Sequence, residues 1–256
     1  MTKTLIFAHR GANKEAAENT RSAFDKAMQY PIDGIETDVQ LSRDKVAVLW
    51  HDRFLGKLGM PLNRIDDFDY AQLQEMDFSA HFSLEAEPEG VMSLQAFLDA
   101  YRQRCRLLIE IKNRDWESTS RQEIKVRRTL EMIGVDAVTG AAPDDRILVS
   151  SFNLDSLIYA HQCAPRFPLV YNFEPEQTLE DAQRVLGEQP FLRGLCLPIE
   201  SLNETMVRLL RDHEKSIAVY TCNSDEEIGK ALKLGVDILI SDVPQKAPAM
   251  RDRYSA

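Results

Sequence analysis

His9-Arg10-Gly11 closes the first apolar run of the chain, Leu5-Ile6-Phe7-Ala8. Three further groups of reactive side chains lie downstream: Glu36-Thr37-Asp38, His51-Asp52 and Glu110-Ile111-Lys112. Glu36 and Asp38 are two apart in an extended segment and so share a face. Carboxylates converging on one interior repel unless a cation lies between them. A hard divalent ion with oxygen ligands would satisfy them, and Glu110 would complete a set of three. His9 and His51 titrate near neutrality and suit general acid–base work. Arg10 offers planar, bidentate recognition of a phosphate, and Lys112, on the face of Glu110, adds a second cation. Gly11 admits a close backbone approach or a positive φ. Asp52 is placed to orient a ring or to cap the segment after it. The set is the inventory for a metal-assisted attack on a phosphate ester. The plainer readings are a solvated acidic strand end, a structural Glu110–Lys112 ion pair and hydrogen-bonded strand-end histidines. The pairing of two histidines with three acids favours chemistry over them.

Such residues are far apart in the chain, so a fold must gather them. Short β-branched runs recur at Leu5–Ala8, Gly34–Leu41, Leu107–Ile111, Ile147–Ser151, Leu169–Phe173, Leu195–Ile199, Ile217–Thr221 and Ile238–Ser241. Helix-like segments lie between them near 20–29, 93–103, 117–133, 154–163, 176–187, 203–213 and 224–234. Asn19-Thr20 and Asn223-Ser224 supply N-cap oxygens, with Glu227 completing a capping box, and Gly235 ends the last of these helices. Strands alternating with helices in this way predict a (β/α)8 TIM barrel. A doubly wound open sheet is the alternative, but its Gly-rich first turn is missing. Val46–Trp50 comes after the second strand by about four residues, too few for a parallel crossover, and is expected to pair back as a hairpin. The irregular stretch beyond it, about residues 53–92, predicts a small inserted subdomain at the carboxyl face of the barrel.

The chain has 256 residues, 44% of them hydrophobic and 28% charged, with net charge -10. That length fits one barrel domain spanning residues 1–256. The acidic balance argues against a nucleic-acid surface and against attraction to anionic headgroups. Four scattered cysteines form no C-x-x-C pair and predict buried free thiols. With no leader-like segment or apolar span, the chain reads as cytoplasmic. His81, in the insert, is a weaker pocket candidate, whereas His161 and His213 read as structural or solvated. Tyr220, Asn223 and Asp242 stand at or just past the last two strands and can face the site.

In order, these motifs resemble the glycerophosphodiester phosphodiesterase family along the length of the chain. The matching elements are His9-Arg10-Gly11, Glu18-Asn19-Thr20, Glu36-Thr37-Asp38, His51-Asp52, Glu110-Ile111-Lys112, Ser151-Phe152, Tyr220-Thr221-Cys222-Asn223 and Ser241-Asp242-Val243-Pro244. The resemblance implies hydrolysis of small-molecule glycerophosphodiesters, such as glycerophosphocholine or glycerophosphoethanolamine, to glycerol 3-phosphate and an alcohol. It implies His9 and His51 as acid and base, Glu36, Asp38 and Glu110 as ligands of Mg²⁺ or Ca²⁺, and Arg10 and Lys112 on the phosphate. Tyr220 takes the place of a tryptophan and is expected against the substrate. Ala17 replaces a proline. Met76-Asp77-Phe78-Ser79 stands for Leu-Asp-Ala-Gly in the insert. Lys45 replaces the usual hairpin glycine, which suggests a different turn type. Neither nucleic acid nor stable membrane association is expected, and a homo-oligomer is compatible with the sequence. A phospholipase D-type enzyme acting on lysophospholipids is the alternative, for which Phe54, Leu55, Leu58, Met60 and Leu62 would offer an apolar approach.

Overall fold

A computed structural model describes residues 3–83, 87–113, 116–134 and 146–254; residues 84–86 of the insert lie outside it. Eight parallel strands close on themselves: β1 (Leu5–His9), β2 (Gly34–Leu41), β4 (Arg106–Ile111), β5 (Ile147–Ser151), β6 (Leu169–Asn172), β7 (Gly194–Pro198), β8 (Ser216–Tyr220) and β9 (Ile238–Ser241). β1 pairs with both β2 and β9, which closes the barrel. β3 (Ala47–Leu49) pairs antiparallel with the end of β2, Val39 opposite Leu49, forming the expected hairpin. Lys45 in its turn takes the left-handed conformation (φ 65°) that glycine favours. The turn is tied by Lys45 N–H to the Ser42 carbonyl and Ser42 N–H to the Val46 carbonyl.

Helices α1 (Arg21–Ala27), α3 (Leu94–Tyr101), α4 (Thr119–Ile133), α5 (Leu154–Cys163), α6 (Leu179–Glu188), α7 (Glu204–Asp212) and α8 (Asp225–Lys233) lie between the strands. Each starts at a Ser, Thr or Asn whose side chain accepts a first-turn N–H: Thr20, Ser93, Ser118, Asn153, Thr178, Asn203 and Ser224. Glu200 lies in a 3-10 turn just beyond β7, one residue after the strand run expected to reach Ile199. A final helix, α9 (Ala247–Tyr254), is weakly amphipathic and is not announced by apolar periodicity. It is anchored by buried Arg251, which bonds Asp33 and the Thr4 carbonyl.

The two faces of the strands make two apolar regions. Ile6, Ile35, Val39, Leu107, Ile109, Val149 and Leu169 point outward into the layer shared with the helices. Phe7, Leu108, Val170, Cys196, Ala218, Ile238 and Ile240 fill the barrel interior. Gly34 makes room there, because a Cβ on it would stand 2.6 Å from the Phe7 ring. Between β3 and α3, the insert carries the short helix α2 (Tyr70–Gln74) and packs its own core of Trp50, Leu55, Ile65, Leu73, Phe78 and Val91 against Val48. Three of the four cysteines are buried free thiols, while Cys163 is exposed.

One buried cation supports the end of β4 from outside. Lys125 of α4 donates to the Lys112 carbonyl (2.6 Å) and to Glu117 (2.7 Å). Burial pushes its ammonium down to about 8, against the pull of Glu117. Lys125→Met would leave Glu117 and the carbonyl without this partner, and is expected to cost about 3 kcal/mol, read as a lower urea midpoint. An unchanged midpoint would show that the pair contributes nothing. Unfolded lysine keeps its proton to higher pH, so the unfolded state binds more protons in that window. The deficit of the variant is therefore expected to widen between about pH 8 and 10.

Candidate active site

The inward faces of the strands change character toward their carboxyl ends. Two residues beyond the apolar layer, Phe7 gives way to His9, Leu108 to Glu110, Leu148 to Ser150, Val170 to Asn172 and Ala218 to Tyr220. Gly34 is succeeded on its face by Glu36 and Asp38. The period of two along a strand thus seats an apolar floor beneath a polar ceiling. The ceiling borders a cavity of about 300 Å³ that His9, Arg10, Glu36, His51, Glu110 and Tyr220 line among others. Lys112 and Asp38 stand beside it, paired with Glu110 and Arg10.

Glu36, Asp38 and Glu110 are all buried, with one oxygen from each lying within 4.8 Å of the others. Arg10 Nε lies 3.0 Å from Asp38 Oδ2, and Lys112 Nζ lies 2.7 Å from Glu110 and 3.4 Å from Asp38. Burial works against ionising Asp38, but Arg10, Lys112, His51 and Asn19 together hold its carboxyl far below the usual range. Glu36 goes the other way: burial, Asp38 and Glu110 raise it well above the usual range despite Arg10. Asp38 Oδ1 is buried and makes no hydrogen bond among the described residues beyond its 3.4 Å ion pair with Lys112. Three hard oxygen donors, one of them under strong pressure to protonate, fit a divalent cation such as Mg²⁺ or Ca²⁺.

Each histidine is held at Nδ1 by its own carboxylate. His9 Nδ1 lies 2.6 Å from Asp242 Oδ1, and Nε2 faces Glu36 at 3.9 Å. An ionised carboxylate only accepts, so His9 carries its proton on Nδ1. Asp242 also accepts from Asn13 (2.6 Å) and Asn223 (2.8 Å); burial opposes its ionisation, but His9 first, and then these two amides, keep it well ionised. Burial and Arg10 together favour neutral His9. His51 Nδ1 lies 2.8 Å from Asp52, whose other oxygen is 3.0 Å from Lys57. Lys57 also reaches Glu18 (2.8 Å), which pairs with Arg10. The Glu18, His51 and Asp52 cluster therefore has its positive charge already.

Backbone geometry around Arg10 is unusual. Arg10 and Gly11 both have positive φ, 55° and 85°, and the Arg10 N–H donates to the Glu36 carbonyl. A Cβ on Gly11 would meet the Ala23 backbone at 2.6 Å, so both reasons for a glycine apply. Asn19, expected only as a capping residue, holds Asp38 through Nδ2 (2.9 Å) and accepts from Thr37 (2.8 Å); Thr20 alone caps α1. Nothing in the local pattern marks Asn19 as a site residue beyond its place in the Glu18-Asn19-Thr20 run. Tyr220 spends its hydroxyl on the Phe173 carbonyl and presents its ring beside Phe152 (5.8 Å). His81 stands edge-on to Trp50 at 6.4 Å in the insert and is not among the residues that line this cavity. Of the five apolar insert residues, Leu55 is buried, and Leu58 and Met60 pack on the insert core, leaving Phe54 and Leu62 exposed. No helix among the described residues is long and apolar enough to cross a membrane.

A closed parallel barrel with paired imidazoles, convergent carboxylates and fixed cations at its carboxyl rim has the makings of a phosphodiesterase. Residues 9–246 match the glycerophosphoryl diester phosphodiesterase family model. A glycerophosphodiester phosphodiesterase of Bacillus altitudinis is 30% identical, over 97% of this chain and 98% of its own. An Oleispira antarctica phosphodiesterase, solved with the product sn-glycerol-3-phosphate, superposes with TM-score 0.84 at 25% identity, covering 98% of this chain and 97% of that one. A structure from Silicibacter pomeroyi shares the fold, with TM-score 0.85 at 20% identity over 100% of this chain and 95% of that one. The chain belongs to the glycerophosphoryl diester phosphodiesterase family.

Proposed function

We propose that the chain hydrolyses glycerophosphodiesters to glycerol 3-phosphate and an alcohol, with Glu36, Asp38 and Glu110 holding Mg²⁺ or Ca²⁺. The observation that carries this reading is the convergence of His9 and His51 on one cavity bordered by buried carboxylates and Arg10. A divalent ion bound there supplies Lewis-acid polarisation of the phosphoryl group and a template for the diester. Arg10 and Lys112, already fixed by Asp38 and Glu110, stabilise negative charge growing on the phosphoryl oxygens. With Nδ1 tied to a carboxylate, each imidazole turns Nε2 to the reacting groups. One ring takes a proton from the attacking oxygen and the other gives one to the departing alkoxide. Tyr220 offers the substrate a ring face, because its hydroxyl is spent on Phe173.

The test is a panel of glycerophosphodiesters monitored for release of glycerol 3-phosphate, with and without chelator. Release from at least one diester supports the reading, whereas no release from any with Mg²⁺ or Ca²⁺ present would overturn it. Asp242 orients His9 and is a positioning residue on this reading. Asp242→Asn can offer His9 Nδ1 an amide N–H and so favours the opposite tautomer. It is expected to lower kcat by about 10²-fold or more with a much smaller change in KM. A loss confined to KM would assign Asp242 to binding instead.

A further inference from the structure

A second, smaller cavity of about 180 Å³ shares His51 with the first and is lined besides by Gln40, Asp52, Arg53, Lys112 and Trp116 among others. The larger cavity touches both histidines; this one touches His51 alone. A diester whose phosphate sits by Lys112 and His51 thus has one substituent in each. Asn172 and Glu174 give the larger cavity acceptors for the hydroxyls of the glycerol that every such substrate shares. The smaller one is left for the alcohol that varies.

Its charges are mostly spent. Asp52 is paired with His51 and Lys57, Glu117 with Lys125 and Arg121, and Lys112 with Glu110. Gln40 Nε2 donates to the Trp50 and Asp52 carbonyls, clamping the turn that carries Arg53. Arg53 makes no ion pair among the described residues. Its guanidinium lies 4.3 Å from the centre of the Trp116 ring and 4.8 Å from that of Phe54. Trp116, 43% exposed, would otherwise be the kind of aromatic face that accepts a quaternary ammonium. Here a cation already covers that face, repels a second one, and brings N–H donors that suit alcohol oxygens.

We infer that the cavity beside His51 receives the departing alcohol and that Arg53, seated on Trp116, selects a hydroxyl-rich alcohol over a quaternary ammonium one. This rests on the activity proposed above. In the hydrolysis, oxygen of the nucleophile bonds to phosphorus, the bond from phosphorus to the alcohol oxygen breaks with its electron pair, and the alkoxide is protonated as it leaves into this cavity. The experiment compares kcat/KM for glycerophosphoglycerol and glycerophosphocholine in the parent enzyme, Arg53→Gln and Arg53→Lys. The parent is expected to favour glycerophosphoglycerol by about 10-fold or more, and Arg53→Gln to erase most of that ratio by losing the first substrate and gaining the second. Arg53→Lys, which keeps the charge, should retain part of the discrimination. Because Arg53 is exposed, folding is not at stake, and circular dichroism checks it. A parent that favours glycerophosphocholine, or a ratio in Arg53→Gln within about twofold of the parent's, would overturn this inference alone. Absence of turnover on both substrates would overturn the activity itself and this inference with it.

Discussion

His9→Ala and His51→Ala are each expected to lower kcat by about 10²- to 10⁴-fold, the range a positioned proton-transfer group supplies. The fold should survive both changes. His9 sits at the open end of β1, above the apolar floor of Phe7, Leu108 and Ile240, and contributes little to that packing. His51 lies beyond β3 and is about a third exposed. Thermal midpoints close to that of the parent would therefore accompany the loss. His9→Ala also leaves Asp242 with Asn13 and Asn223 as donors, so no carboxylate is stranded. A variant at either position that kept near-normal turnover would remove that histidine from the chemistry. The double variant is expected to be little worse than the worse single one, because two groups that act in one proton relay are not additive.

Stripping divalent ions with a chelator is expected to abolish turnover, and adding Mg²⁺ or Ca²⁺ to restore it. A second readout is independent of catalysis. An ion that binds only the folded chain stabilises it by about 2.7 kcal/mol at a hundred times its dissociation constant, so the melting temperature should rise on titration. Because Glu36 is driven toward its protonated form by burial, Asp38 and Glu110, protons compete with the ion, and its apparent affinity should weaken as pH falls. Glu110→Gln would remove one ligand charge and should blunt both the thermal shift and the activity. Full activity in chelator, or an unchanged melting temperature across the titration, would end the metal assignment.

The division of information between sequence and tertiary structure reflects the range of the forces involved. Within a strand, alternation is local, so Glu36 with Asp38 and Glu110 with Lys112 could be placed on common faces from spacing alone. Helix starts were equally local, because a Ser, Thr or Asn oxygen needs only an N–H three residues ahead, as at Thr20 and Ser224. The hairpin came from a connection too short for anything but an antiparallel return. Lys45 marks the limit of local inference: side-chain identity suggested a different turn, but the pairing of β2 with β3 imposes the left-handed conformation on a lysine.

Spacing could not reveal which partners the barrel would bring together once it closed. Asp242 reaches His9 across 233 residues because β1 and β9 are neighbours, and Asn19 reaches Asp38 only once the loop before α1 folds over the end of β2. Lys57 joins Glu18 to Asp52 because the insert turns back over that loop. Residue types and order by themselves determined the barrel, the histidine pair and the carboxylate set. Tertiary structure alone decided the tautomer of His9, the opposite protonation tendencies of Glu36 and Asp38, and the seat of Arg53 on Trp116. Those depend on burial and on charges a few ångströms away in space, which no local pattern records.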